Sequence, residues 1–337
     1  MTRPALRYLS ATDIVSAMPS LHESLRLAEK TLIALADGSA ELPAKIGVHP
    51  RSPSSFGHAM PAYLRGADPD GGEDLLGLKW VVGFPGNGAH GLPTIAATVI
   101  LSDPATGLPR AILDGGPITA ARTAAISGVA IHRFAPAGAG GPGGNAGRRR
   151  VALLGAGVQG HSHVPMIGYV LPGAEIAIFD RHHDRAVALA AMASATEGIG
   201  SARAAPDART AVDGADVVIS AVSFGPVHQI MTDDWLVPDA LVVPVDYATT
   251  CAAEVARDAG LFLVDELGQF QANRAAGLFE DYPDPTATLG EAILDATTRP
   301  DTGRVVATHL GTGLADLIFA DAIVRTATQA GLGTVLA

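Results

Sequence analysis

The sequence predicts an α/β chain of two domains, the second of them a doubly wound parallel sheet. Three observations predict it. Six short apolar runs follow one another between residues 151 and 310, separated by helical or loop stretches. Strands apolar on both faces and alternating with helices indicate a parallel sheet covered on both sides. The first run leads into a Gly-x-Gly-x-x-Gly turn, and a Gly/Pro/Ala-rich stretch separates all of this from an upstream half rich in strands and turns.

Taken in order, "ALRYLS" reads as a first strand. Ser20-Leu21-His22-Glu23 is a capping-box pattern, and Leu21, Leu25, Ala28, Leu32 and Leu35 then give one apolar helix face that stops at Gly38. "AKIGVHP", "HAMPAYL", "LKWVVGFP", "TIAATVILSD" and "PRAILDGG" read as strands, with Asp103-Pro104 and Thr106-Gly107 marking a hairpin between the last two. "ITAARTAAISGVAIHRFA" is a helix of small residues suited to close packing. Residues 135–147 read as a flexible connection. The arginines at 148–150 read as solvated charge at a strand start. The six apolar runs are "VALLG", "AEIAIFD", "ADVVISAV", "ALVVPVD", "GLFLVDE" and "RVVATHL".

Composition narrows the function classes. The chain has 337 residues, enough for two ordinary cores. A net charge of −11 repels phosphate backbones, so nucleic acid is excluded as a partner. The one cysteine, Cys251, excludes an internal disulfide and a multi-Cys zinc site. "RHHDR" lacks metal-ligand spacing, so no metal is expected. No run of 18 apolar residues and no signal-peptide core occur, which predicts a soluble cytoplasmic protein that does not enter the membrane.

Gly155-x-Gly157-x-x-Gly160 follows an apolar strand, and the next apolar run ends at Asp180, twenty residues after Gly160. This is the dinucleotide-binding context. Gly155 makes the tight turn, Gly157 admits a pyrophosphate, Gly160 lets helix meet strand, and the helix N-terminus faces the phosphates. A Rossmann domain follows from it. Pro165 lies inside the helix that this motif opens and predicts a kink or early bend. Asp180 at the second strand's end accepts ribose hydroxyls and repels a 2′-phosphate, which favours NAD. Arg181 next to it leaves NADP possible, since it either stacks on adenine or neutralises that phosphate. Ser220, Ala221, Val222 and Ser223 close the third run, at the crevice where the cofactor crosses.

"GLKWVVGFPGN", "GLPTIAATVILSDPATGLPRAILDGGPITAARTAA", "VALLGAGVQG" and "HLGTGLADLIFADAI" together resemble the ornithine cyclodeaminase/mu-crystallin family over nearly the whole chain. The resemblance implies an α+β substrate-binding and dimerisation domain at 1–134, completed by a C-terminal helix at 314–337. The Rossmann NAD(P)-binding domain falls at 148–311, and the chain is expected to be a homodimer. It implies hydride transfer at the C–N bond of an amino acid or a cyclic or linear imino acid. The alternatives are a redox-neutral cyclodeaminase with tightly held NAD and a non-catalytic NAD(P)- and ligand-binding protein of the mu-crystallin kind.

For the site, the resemblance points to Lys79, Arg122, Lys45 and Asn87 on the substrate. By itself Lys79 reads as a snorkelling strand lysine with an exposed head. With the family, its ammonium meets a substrate carboxylate, and the planar fork of Arg122 is a second anchor. Lys45 stands where many relatives carry arginine and lacks that fork. Asp246, ending "ALVVPVD", matches an aspartate near the reacting nitrogen, so Lys79 and Asp246 are the catalytic candidates. Tyr247 beside it departs from the Gly-rich cyclodeaminase surroundings, and "GFPGN" resembles the dehydrogenase and reductase branch. The implied cofactor contacts are Thr119, Thr123, Val158, Gln159, Asp246 and Gly311, besides the fingerprint glycines, Asp180, Arg181 and residues 220–223. His58 and His90 stay outside the mechanism.

Overall fold

The computed structural model describes residues 5–52, 54–66, 74–136, 149–223 and 228–336. The expected connection at 135–147 lies almost wholly outside the described residues. The chain divides into two compact units, one of residues 1–122 and 311–337, the other of residues 123–310. The boundary therefore falls inside a helix, α3 (Gly115–Phe134), and not at its end. Every residue of the helix from Arg122 to Ile131 is buried.

The first unit contains β1 (Leu6–Leu9), α1 (Ala11–Ser16), α2 (Leu21–Ala36), β2 (Ala40–Glu41), β3 (Ile46–Val48), β4 (Phe56–Leu64), β5 (Leu75–Gly83), β6 (Ile95–Ser102) and β7 (Pro109–Asp114). Its sheet runs β2-β4-β5-β6-β7-β1, with β3 also on β4. Strands β4 to β7 are antiparallel neighbours. The hairpin between β6 and β7 forms where Asp103 and Gly107 predict it: the Asp103 carboxylate accepts the Thr106 N–H at 2.7 Å. In α2 the Ser20 hydroxyl accepts the Glu23 N–H, but Glu23 turns to Arg26 instead of closing the box. The buried stripe of α2 is Ser24, Leu27, Ala28, Thr31, Leu32 and Ala34, and Leu21 is exposed.

Strand β5 begins at Leu75, earlier than its apolar run suggests, because β4 and β6 pair with it along its whole length. Lys79 is therefore mid-strand. Leu75, Gly77, Lys79, Val81 and Gly83 share the buried face, and Trp80 faces the other way. Helix α10 (Gly313–Gln329) packs on β4, β5 and β6. It ends eight residues before the expected limit, because the Leu332 N–H returns to the Ala327 carbonyl and releases the chain into β16 (Thr334–Leu336). That strand pairs antiparallel with β1.

The second unit holds β8 (Arg150–Leu154), α4 (Val158–Val170), β9 (Ala174–Phe179), α5 (His183–Ser194), β10 (Ile199–Ala204), α6 (Ala208–Val212) and β11 (Val217–Ser220). It continues with β12 (Leu241–Pro244), α7 (Ala253–Arg257), β13 (Leu261–Val264), α8 (Leu267–Ala275), β14 (Ala287–Thr288), α9 (Leu289–Leu294) and β15 (Val305–Thr308). The sheet order is β10-β9-β8-β11-β12-β15-β13-β14, parallel throughout. The order reverses between β8 and β11, the switch point at which such sheets take ligands beyond their carboxyl ends. All six apolar runs are strands; β10 and β14, less apolar and at the edges, are additional. Pro165 does not end α4, which continues to Val170. The proline forgoes its N–H bond to the His161 carbonyl.

Candidate active site

Lys79 is among the largest fully buried side chains of the described residues, 1% exposed. The ammonium that the strand carries inward meets an aspartate of its own chain. Its Nζ lies 2.9 Å from both carboxylate oxygens of Asp316 on α10, itself 0% exposed. The same carboxylate accepts the Nε–H of Arg122, on the first half of α3, at 3.1 Å. Two cations thus share one anion in a buried place, which leaves a net positive charge. Burial is the main reason that the Lys79 pKa falls to about 7. Asp316 opposes that fall, and the positive charges of Arg122 and Lys45 add to it. Lys45 therefore lies within electrostatic reach of Lys79.

The guanidinium of Arg122 lies against the backbone of Gly311, which has φ +77°. A Cβ there would sit 2.6 Å from Nη1. Gly311, expected at the cofactor, has a nearer duty in leaving room for this fork. Asn87 closes its own turn, its amide donating to the Pro93 carbonyl at 2.9 Å. The Thr119 hydroxyl donates back to the Gly115 carbonyl at 2.6 Å, while Thr123 is buried at the start of the second unit. Asp316 was not legible as a site residue: α10 carries a second carboxylate, Asp321, and nothing local sets Asp316 apart.

In the second unit the fingerprint has the geometry its glycines require. Gly155 has φ +106°, and a Cβ would lie 2.5 Å from the Ala221 carbonyl oxygen. At Gly160 a Cβ would lie 2.2 Å from the Gly155 carbonyl oxygen. At Gly157 a Cβ would meet nothing within 4 Å, so that side of the turn is open. Val158, first residue of α4, is 72% exposed for an apolar side chain, and Gln159 follows it half-buried. Asp180 sits just beyond β9. Its carboxylate accepts the Ala156 N–H at 2.9 Å and the His182 N–H at 2.8 Å, so it braces the glycine turn. Arg181 is exposed.

Asp246, just past β12, is 2% exposed. It accepts the Ser220 hydroxyl at 3.0 Å, the Val222 N–H at 3.2 Å and the Thr250 hydroxyl at 2.8 Å. Burial raises its pKa against the pull of those donors. The carboxylate ties the ends of β11 and β12 together and orients residues 221–223, of which Ser223 is exposed. Tyr247 beside it adopts φ +57° and donates its hydroxyl to the Leu310 carbonyl at 3.3 Å. Cys251 is buried, its thiol pushed up to about 12 and inert. His58 stacks on Phe56, and burial lowers its pKa. Among the described residues no group of His, Cys, Asp or Glu is arranged to hold a metal, and no helix is long and apolar enough to cross a membrane.

Known proteins share this fold. The profile of the ornithine cyclodeaminase/mu-crystallin family matches residues 8–266. The nodulation efficiency protein NfeD of Rhizobium meliloti is 32% identical over 98% of both chains. The ketimine reductase mu-crystallin of Mus musculus is 28% identical over 84% of both. Among solved structures, the Δ1-pyrroline-2-carboxylate reductase of Thermococcus litoralis, in complex with NADH and L-proline, superposes with a TM-score of 0.83 at 23% identity. That match covers 98% of this chain and 100% of the other. The chain belongs to the ornithine cyclodeaminase/mu-crystallin family.

Proposed function

We propose that this member of the ornithine cyclodeaminase/mu-crystallin family is an NAD(P)-dependent oxidoreductase that reduces the C=N bond of a carboxylate-bearing imino acid. The observation that carries the reading is the buried Lys79–Asp316–Arg122 cluster, with one positive charge more than it neutralises internally. A substrate carboxylate is the complement of that excess charge, and an arginine fork is suited to hold it. The names of the mouse and Thermococcus relatives point to the same substrate class.

The open turn at Gly157, with Gly155 and Gly160 packed as a dinucleotide fold requires, fits the cofactor. When bound, the dinucleotide supplies the hydride. The chain's own residues do the rest. Arg122 anchors the carboxylate with its planar fork. Lys79, with a pKa of about 7, both attracts that carboxylate as an ammonium and is poised to hand a proton to the imine nitrogen. Asp316 fixes the direction in which the Lys79 ammonium points. We assign Asp246 to holding residues 221–223, with proton transfer left to Lys79. Asp180 leaves lone pairs for ribose hydroxyls beside its two backbone donors, which favours NAD over NADP.

The test is a panel of cyclic and linear imino acids and amino acids, each with both cofactors. The proposal expects nicotinamide absorbance to change in proportion to product. Ammonia release without net absorbance change would make the chain a cyclodeaminase. Neither signal, with ligand binding intact, would make it a binding protein.

A further inference from the structure

Ser127 on α3, His163 on α4 and His309 just after β15 form a buried polar chain that the reading above does not use. They are 0%, 1% and 2% exposed. Ser127 Oγ lies 2.8 Å from His163 Nε2 and 2.8 Å from His309 Nε2. At the far side of its ring, His163 Nδ1 lies 2.6 Å from the carbonyl oxygen of Gln159. Three polar side chains gathered in an apolar interior cost desolvation unless every one is satisfied. A cluster of apolar residues would fill the same space without that requirement.

The hydrogen positions follow from donor and acceptor counting. A carbonyl only accepts, so His163 Nδ1 carries a hydrogen. Burial holds His163 neutral, its pKa down to about 4, so its Nε2 is bare. Ser127 therefore donates its one hydroxyl proton to His163 Nε2. Its oxygen must then accept from the other ring, which makes His309 the Nε2–H donor. The chain has a single direction: His309 to Ser127, Ser127 to His163, His163 to the Gln159 carbonyl. Bonds aligned in this way polarise one another. The end point is the second residue of α4, in the first helical turn, whose N–H groups lack intrahelical partners and face the opening at Gly157.

We propose that Ser127 is a positioning residue, which through His163 and against His309 holds the first turn of α4 in the orientation that binds the dinucleotide phosphates. This rests on the dinucleotide reading of the fingerprint. The hydroxyl is the link, because it alone joins the two rings.

The test compares wild type, Ser127→Ala and Ser127→Thr, with NADH and NADPH binding followed by calorimetry well below each protein's melting temperature. Ser127→Ala is expected to weaken dinucleotide binding by about tenfold, one hydrogen bond's worth of positioning. The dinucleotide KM should rise equally, with kcat at saturating dinucleotide and the substrate KM unchanged. Ser127→Thr, which restores the hydroxyl, should recover most of the affinity. A loss of thermal stability alone, with wild-type affinity in the alanine variant, overturns the proposal. A wild type that binds neither dinucleotide overturns the reading on which it rests, and the positioning role with it. If the variants do not fold, imidazole 15N signals of the wild type decide. His163 as the Nδ1–H tautomer and His309 as Nε2–H, both shifting when NADH is added, support the proposal; the opposite tautomers or unmoved signals overturn it.

Discussion

Replacing Asp316 by asparagine removes the one anion from between two buried cations while keeping the side chain's shape. Breaking a buried ion pair by removing one partner costs about 3–5 kcal/mol. Here part of that cost has an outlet, because Lys79 already has a pKa of about 7 and can shed its proton. Without Asp316, which raises the Lys79 pKa, that value falls further. In the unfolded chain the lysine returns to its ordinary value of 10.5. The native variant then binds fewer protons than native wild type below about pH 7, so the difference between them grows as pH falls. The full 3–5 kcal/mol is expected at about pH 6, or about 6–20 °C in melting temperature for a domain of this size. By about pH 9 both proteins hold a neutral amine, so the Lys79 part of the difference disappears and what remains is the loss of the Arg122–Asp316 pair. The two tryptophans are Trp80 in β5 and Trp235 in the second unit. Urea titrations in a Trp235→Phe background therefore report the first unit alone. A loss that is the same at both pH values, or below about 1 kcal/mol at the lower one, would refute the shared-anion account.

Wild-type stability should itself rise between about pH 7 and pH 10.5, where the unfolded lysine holds a proton that the native one has lost; Lys79→Met should flatten that slope in denaturant titrations. The KM for a carboxylate substrate should climb above about pH 7 as the ammonium disappears, and Lys79→Arg should remove that limb from a log KM against pH plot. Asp180→Ala should weaken NAD more than NADP. Some loss for both is expected because the Ala156 N–H loses its acceptor; equal loss in binding assays would transfer cofactor choice to Arg181. Asp246→Asn faces an amide toward existing donors. It should cost about 1–3 kcal/mol of stability with kcat within about tenfold; a fall in kcat of about 10²–10⁴ would return the proton-transfer role to Asp246.

By itself the sequence determined what rests on short-range geometry. The glycine turn is legible because Gly155 and Gly160 meet each other five residues apart, and β9 delivers Asp180 to the same turn. The six central strands of the second sheet are legible because they are buried on both faces and therefore mostly apolar. The strands that escape are those at edges, where one face meets solvent: β10 in the second sheet, and β16 after α10 in the first. The buried side of β5 is written in its alternation, but the partner of Lys79 is not. Asp316 lies 237 residues away in sequence, among 34 acidic residues with no local mark to single it out. The same holds for Ser127, His163 and His309, which lie on three separate elements. Pairings of this kind are set by how a helix seats on a sheet, through many weak apolar contacts whose sum fixes the register. Only the folded chain decides which carboxylate faces the lysine, and with it how much positive charge the site keeps.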